Sequence, residues 1–307
     1  MSHRFIVVAI SAAVLAIGFA GVQTAAQQNQ ALVWAPRPTT LPPYVAPMKP
    51  HVKLADLKVA HRGQANWREL VVDDGHSRAE YIFEAAGTKT PQRFHPDTRE
   101  WWAVIDGQMR VEIDGQPPFT ATKGSVVQIP KQTLYSIETI GDAPSLRFEV
   151  SVARVKTLYP QNVQPPSLPG VRWVQALYNR RPAPYDNGNQ PHVNMYEGAK
   201  ANERYTGGRV IRDEHFEGLL IYGYEKNLPP LEPKDRGHFH PESAEFWLVM
   251  AGQIRYDIEG VPVFTADEGD FAYVPPQRYH LARFAGPGPS CRFSITEFAN
   301  NSQLHEP

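Results

Sequence analysis

The stretch QIRYDIEG (253–260) sets apolar Ile254, Tyr256 and Ile258 against polar Arg255 and Asp257, the period-two pattern of a strand with one buried face. Gly252 and Gly260 bound it. VPVFTADEGDFAYVPP (261–276) continues as strand, turn and strand, ended by prolines that a central strand does not tolerate. EFWLVM (245–250) is a short, almost continuous apolar run, also of strand length. Helical periodicity is weak throughout the chain after its first segment. Many short strands punctuated by turns predict an all-β protein of barrels or jelly rolls, and 29 prolines in 307 residues argue the same way.

The pattern occurs twice. Shifted by 145, residues 94–135 overlay 239–280 without a gap, and 18 of the 42 positions are identical. Pro-Ser-x-Arg-Phe also recurs, at 144–148 and 289–293. A repeat of this length means two copies of one β domain in tandem. EYIFEA (80–85) corresponds to LLIYGY (219–224), after which the second copy carries about six extra residues in KNLPPLEPKDRG, a loop expected at a barrel mouth.

Punctuation outside the repeats predicts the remaining boundaries. MSHRFIVVAISAAVLAIGFAGVQTAA (1–26) has a weakly basic start, an apolar run Phe5–Ala20 and small residues at a cleavage position, the form of a signal peptide. The run of 16 is short against the roughly 20 residues needed to cross a bilayer. Residues 27–50 form a Pro-rich arm expected to run extended over the surface, and 159–170 a Pro-rich linker. The first barrel is then expected over 51–158 and the second over 171–307.

Charge and cysteine content narrow the function classes. Thirty-one basic residues balance 32 acidic ones, without the basic stripe of a nucleic-acid surface. The single cysteine, Cys291, excludes an internal disulfide and a cysteine-based zinc site.

The second copy also holds GHFHPESAEFWLVMAGQ (237–253), in which residues two apart on a strand place His238 and His240 on one face, with Glu245 opening the next strand. Farther on, GDFAYVPPQRYH (269–280) ends in His280. By residue type alone this is either a metal site or a polar loop ahead of a strand. Together the two stretches resemble the paired motifs of the cupin superfamily: Gly, His-x-His, four residues, Glu, six residues, Gly; then Gly, five residues, Pro, and His five beyond. Gly252, Gly269, Pro275 and His280 stand at those places, while Gln277 and Phe284 depart from the usual Gly and Asn.

The resemblance covers both copies. It implies a bicupin, two cupin-type double-stranded β-helix (jelly-roll) barrels in tandem, with His238, His240, Glu245 and His280 converging on one divalent transition metal per chain. Three imidazoles and a carboxylate suit divalent iron, manganese, cobalt, nickel, copper or zinc; with the resemblance, iron or manganese is expected first.

The first copy is the internal control. At the same offset Arg93 replaces His238 and Tyr135 replaces His280, while His95 and Glu100 remain. A guanidinium cannot bind a cation. A remnant site without metal is therefore expected there, with Arg93 paired to Glu100. Since one copy keeps the barrel-building residues without the histidine set, that set in the other copy is not needed for folding.

Around the second site, Glu242 and Tyr256 are candidates for proton transfer, Glu245 for a catalytic role as the one anionic ligand, able to swing off and open a position for substrate, and Arg236, Trp247, Tyr256 and Phe264 for substrate contact. The family's chemistries leave three functions open: a dioxygenase-type oxidoreductase acting on a small oxygen-rich or aromatic molecule, a decarboxylase or lyase of a small organic acid, and a non-enzymatic binding or storage protein. The expected partner is a small molecule, with no nucleic acid and no membrane after signal cleavage; a homo-oligomer is compatible with these features.

The amino-terminal segment generates a direct test. The expected mature protein starts near Gln27 and is exported, to the periplasm in a bacterial source. Mass spectrometry of exported protein checks this, and an intact Phe5–Ala20 run would overturn it.

Overall fold

The computed structural model describes residues 31–201, 208–298 and 302–305; the expected signal segment lies outside the described residues. The period-two segments form strands that gather into two six-stranded sheets, one of five strands and one of three. In the first half, the large sheet runs in spatial order His192–Asn194, Ser125–Ile129, Glu100–Asp106, Ser145–Val152, Ser77–Glu84, Trp67–Asp73. Facing it are Phe119–Thr122, Gln108–Ile113 and Tyr135–Thr139. The second half repeats this with His51–Val52, Phe271–Val274, Glu245–Ala251, Pro289–Glu297, Phe216–Tyr224 and Arg209–Arg212. Its smaller sheet is Phe264–Asp267, Gln253–Ile258, His280–Ala285, His238–Phe239 and Leu304–His305. Each half is thus a double-sheet jelly roll, and the protein is all-β as expected, with two seven-residue helices at Leu54–Ala60 and Met195–Ala201.

Alternation along the strands divides the apolar residues among three cores. Trp102, Val104 and Val111 fill the first barrel, and Trp247, Val249, Ile254 and Tyr256 the second. The opposite faces of the two large sheets pack on each other, with Trp101 and Phe148 meeting Phe293 and Phe271 at ring-centroid distances of 5.3 and 5.1 Å. All seven residues of Glu245–Ala251 are therefore buried, which explains why that stretch does not alternate. Each buried aromatic ring contributes about 1.5–3 kcal/mol. The seam's rings together thus outweigh its polar contacts, worth about 1 kcal/mol apiece, such as Tyr81 Oη donating to Gly269 O at 2.6 Å.

The described residues from 36 onward form one compact unit, because the halves also exchange arms. The arm ahead of the first barrel crosses to the second: His51 and Val52 pair with Ala272 and Phe271, covering the edge of that sheet. The segment between the barrels returns the exchange, with His192 and Val193 paired to Val127 and Val126 of the first. Side chains repeat the symmetry. Tyr44 donates to Tyr273 O at 3.0 Å and Tyr185 to Gln128 O at 2.9 Å; His51 meets Asp270 at 2.9 Å and His192 meets Ser125 at 3.0 Å.

The expected boundaries at 51 and 171 consequently do not coincide with sheet membership. Residues 51–52 belong to the second barrel's sheet and 192–194 to the first's. A sequence signal for this exists at a different offset: Pro43-Tyr44 and Pro50-His51-Val52 recur as Pro184-Tyr185 and Pro191-His192-Val193, 141 residues on. The shift of 145 hides it.

Glu297 sits in the seam, accepting from Ser77 Oγ of the other half and from Ala244 N at 3.0 Å. Burial first, then the neighbouring Asp74 carboxylate, raise its pKa to about 8. A raised carboxyl contributes stability in its protonated form. That contribution is complete below the ordinary value of 4.5 and disappears as pH rises through about 8. Glu297→Gln keeps the shape without the charge. Its melting temperature should lack the decline that wild type shows between pH 4.5 and 8, and identical pH profiles for the two proteins would contradict this account.

Candidate metal centre

His238, His240, Glu245 and His280 come together at one end of the second barrel, their donor atoms all within 4.8 Å of one another. His238 lies directly across the ladder from His280, while Phe239 turns away and packs against Tyr279 at 5.0 Å. Gly237, at φ +75°, lets this strand approach: a Cβ there would lie 2.0 Å from His280 O. Gln277, where the motif usually has glycine, nonetheless adopts φ +66°, a conformation that costs a non-glycine residue roughly 1–2 kcal/mol. Its backbone N–H donates to His240 O at 2.7 Å, tying the proline turn to the histidine pair.

The hydrogen bonding decides which nitrogens face the cluster. His240 Nδ1 lies 2.9 Å from Ser302 O and His280 Nδ1 3.0 Å from Arg278 O. Carbonyl oxygens only accept, so both rings donate from Nδ1, and in the neutral imidazole the Nε2 lone pair points inward. Those Nε2 atoms stand 2.8 and 3.0 Å from Glu245 Oε2, and His280 Nε2 is 3.2 Å from His238 Nε2. Lone pairs so close repel one another unless a cation lies among them. With ligand bonds of about 2.0–2.1 Å, neighbouring donors on one ion stand roughly 3 Å apart, so the donor set fits a divalent metal.

Burial alone would raise the Glu245 carboxyl, but the three imidazoles of His238, His240 and His280 close around it hold it well below the usual range. Its second oxygen accepts from Ser294 Oγ at 2.5 Å, which fixes the carboxylate plane.

Of the other candidates, Trp247 is buried beside the centre, 5.3 Å from the His280 ring and 5.1 Å from that of Tyr256. Tyr256 is fully buried, its hydroxyl lacks a hydrogen-bond partner among the described residues, and burial raises its pKa strongly. Phe264 packs behind Tyr256 at 5.4 Å and stacks on His51 at 4.5 Å. Glu242 is exposed on the turn, so it is not gathered with the cluster. Arg236 is engaged elsewhere, paired with Glu259 and lying 4.3 Å over the Tyr279 ring.

Sequence reasoning missed three contributors. Ser302 O and Ser294 orient ligands from positions without ligand spacing. Arg292, the arginine of the recurring Pro-Ser-x-Arg-Phe, faces the barrel interior opposite Val249.

In the first barrel the corresponding residues satisfy one another. Arg93 reaches Glu100 at 3.3 Å and donates from Nε to Tyr135 Oη at 2.7 Å, while His95 and Tyr135 also contact Glu100. The guanidinium supplies the positive charge among these residues.

Comparison with known proteins agrees with the geometry. A model of the cupin domain matches residues 80–152 and 225–296. A curated protein of Aspergillus niger, described as the probable oxidoreductase yanE, is 46% identical over 69 residues, 22% of this chain. The match spans only 26% of that relative's length. Among solved structures, a variant of salicylate 1,2-dioxygenase from Pseudoaminobacter salicylatoxidans is similar with TM-score 0.59 and 11% identity, over 83% of this chain and 87% of that one. A cupin 2 conserved barrel domain protein from Leptotrichia buccalis gives 0.53 at 11% identity, over 81% and 96%. A variant of Bacillus subtilis oxalate decarboxylase gives 0.51 at 15%, over 91% and 88%. At these identities the structures share the fold.

The remnant site yields a stability test. Burial would raise the Glu100 carboxyl, but His95 and Arg93 hold it well below the ordinary range. Its contribution is present above the ordinary carboxyl value and lost as pH falls through the depressed one. Glu100→Gln leaves the Arg93 guanidinium buried without its carboxylate, at a cost on the order of 3–5 kcal/mol. Thermal melts should show that loss at neutral pH with unchanged metal content; an unaltered melting temperature would refute the pairing.

Proposed function

Both halves are cupin domains, so the chain is a bicupin, and from that premise we propose that its second barrel is a metal-dependent oxidoreductase centre of the dioxygenase type. The convergence of four donor atoms within 4.8 Å, with two imidazoles committed to donating from Nδ1, carries this reading. His238, His240, Glu245 and His280 would hold one divalent transition metal per chain, iron or manganese first. Such an ion, when bound, supplies Lewis acidity toward a substrate oxyanion and a place for dioxygen. The substrate is a small oxygen-rich or aromatic molecule. The aromatic wall of Trp247, Tyr256 and Phe264 supports the aromatic class, and the relative described as a probable oxidoreductase supports the reaction class. The chain's own residues orient and enclose the site. Ser294 and the Ser302 and Arg278 carbonyls hold three ligands in place. Trp247 closes one side to water, and Tyr256 keeps its proton at Oη because burial disfavours the phenolate. The apolar Phe5–Ala20 run supports export, and with it work outside the cytoplasm.

Elemental analysis of anaerobically purified protein should find one equivalent of metal, absent from His240→Ala and retained by His95→Ala. Oxygen uptake with phenols and hydroxybenzoates should fall about tenfold or more in a folded Glu245→Gln variant. Metal retained by His240→Ala, or carbon dioxide release without oxygen uptake, would sink the oxygenase reading.

A further inference from the structure

The strand that begins with His238 has a neighbour on each side. His280 stands across from His238 on one, and His305 on the other. Side chains directly opposite one another on a ladder share a face, so His280, His238 and His305 form one row over three strands. The outer strand of that row, Leu304–His305, belongs to a stretch, Ser302–His305, that lies outside the ligand quartet yet touches it. Ser302 O accepts from His240 Nδ1 at 2.9 Å, Leu304 pairs with Phe239, and His305 Nδ1 donates to Gly237 O at 3.2 Å. The His305 ring lies 5.5 Å from that of His238. His238 is also the least covered ligand, its side chain 22% exposed against 8% or less for the other three.

The first barrel has the same device. Lys156 O accepts from His95 Nδ1 at 3.0 Å, and Leu158 exchanges backbone hydrogen bonds of 2.9 and 3.0 Å with Phe94. Lys156–Tyr159 and Ser302–His305 are related by an offset of 146, one more than the rest of the repeat. The two stretches differ in how they are fastened. Tyr159 packs edge-on against Trp173 at 5.3 Å. In the second barrel Ser302, Gln303 and His305 are exposed, and only Leu304 is half-buried. An edge strand of two residues with one half-buried side chain is weakly held by its own contacts.

The bond to His240 joins that weak strand to the centre. A carbonyl accepting from Nδ1 fixes the tautomer and makes Nε2 a more basic ligand. Without Ser302 O the neutral ring carries its proton on either nitrogen, and the form protonated at Nε2 cannot ligate through that atom. His280 does not depend on the strand, because its acceptor, Arg278 O, lies two residues away in its own turn. Coupling between two equilibria is reciprocal. If the docked strand favours a bound ion, the ion favours the docked strand by the same factor.

We propose that Ser302–His305 is a positioning strand whose docking is coupled to metal binding. Docked, it holds His240 in the ligating tautomer and covers the open side of His238; a divalent ion in the cluster in turn holds the strand against His238–Phe239. This rests on the metal reading of the cluster and adds what regulates the closure of that site. In the first barrel the same stretch is fastened against Trp173, beside a carboxylate already balanced by Arg93.

The test uses zinc alone as the probe, with a chelator competing for it. A variant ending at Phe298 should bind zinc about 10–100-fold more weakly than the whole protein, with a nearly unchanged melting temperature in the metal-free state. Leu304→Ala, which loosens the strand without shortening the chain, should lose part of that affinity. Leu158→Ala, the same change in the first barrel, should lose none. Amide exchange at Leu304 and His305 should slow when zinc is added to the whole protein. Full zinc affinity in Leu304→Ala and in the shortened chain, an equal loss in Leu158→Ala, or strand exchange indifferent to zinc would each overturn the proposal. If the shortened chain does not fold, Leu304→Ala against Leu158→Ala decides the matter. A whole protein that takes up no zinc removes the metal reading and the proposal together, whereas zinc bound with no dependence on the strand removes the coupling alone.

Discussion

The back-to-back packing of the two large sheets is the constraint on which the rest depends. It obliges every central strand to be buried on both faces, one turned to the partner sheet and the other into its own barrel. Phe246 and Trp247 show the division: adjacent in sequence, they serve different cores. A one-residue slip in register would send Glu245 into the apolar seam and Phe246 into the ligand cluster, so the packing that stabilises the fold also aims the ligands. The arm exchange follows from the same architecture. Each large sheet would otherwise end in an open edge, and each edge is covered by a strand from the segment preceding the other barrel.

Duplication makes the molecule its own comparison. The same two interior places hold permanent positive charge with carboxylate partners in the first barrel, and lack part of that charge balance in the second. Among Arg93, His95, Glu100 and Tyr135 the guanidinium balances the carboxylate. Among His238, His240, Glu245 and His280 no guanidinium takes part, and the four donor atoms converge where a cation from outside could lie. One level deeper, Arg147 has two glutamates, and Arg292 has none among the described residues. Repulsion among close lone pairs is unfavourable, so the donor cluster of the second barrel holds electrostatics that a metal ion would relieve. The first barrel relieves its own, since Arg93, His95 and Tyr135 all contact Glu100.

By itself the sequence determined the all-β class, the duplication and the grouping of His238, His240, Glu245 and His280. These rest on local chemistry: strand periodicity shows burial, an ungapped repeat shows shared architecture, and ligands two residues apart on a strand must share a face. It also carried the contrast between Arg93 and His238, because the two copies align residue for residue. Tertiary structure decided what depends on residues far apart in the chain. The arms' exchange escaped because their repeat runs at 141 rather than 145, so each arm's destination appears only when the sheets assemble. Glu242 and Arg236 looked like site residues by proximity in sequence, yet the turn and the Glu259 contact draw them away. Arg292 was visible as a recurring arginine, but the glutamates that Arg147 has and it lacks come from two different strands. Only register across the ladder sets Gly223 and Ser294 in their places, because hydrogen-bonded pairing, not sequence distance, fixes which side chains share an interior.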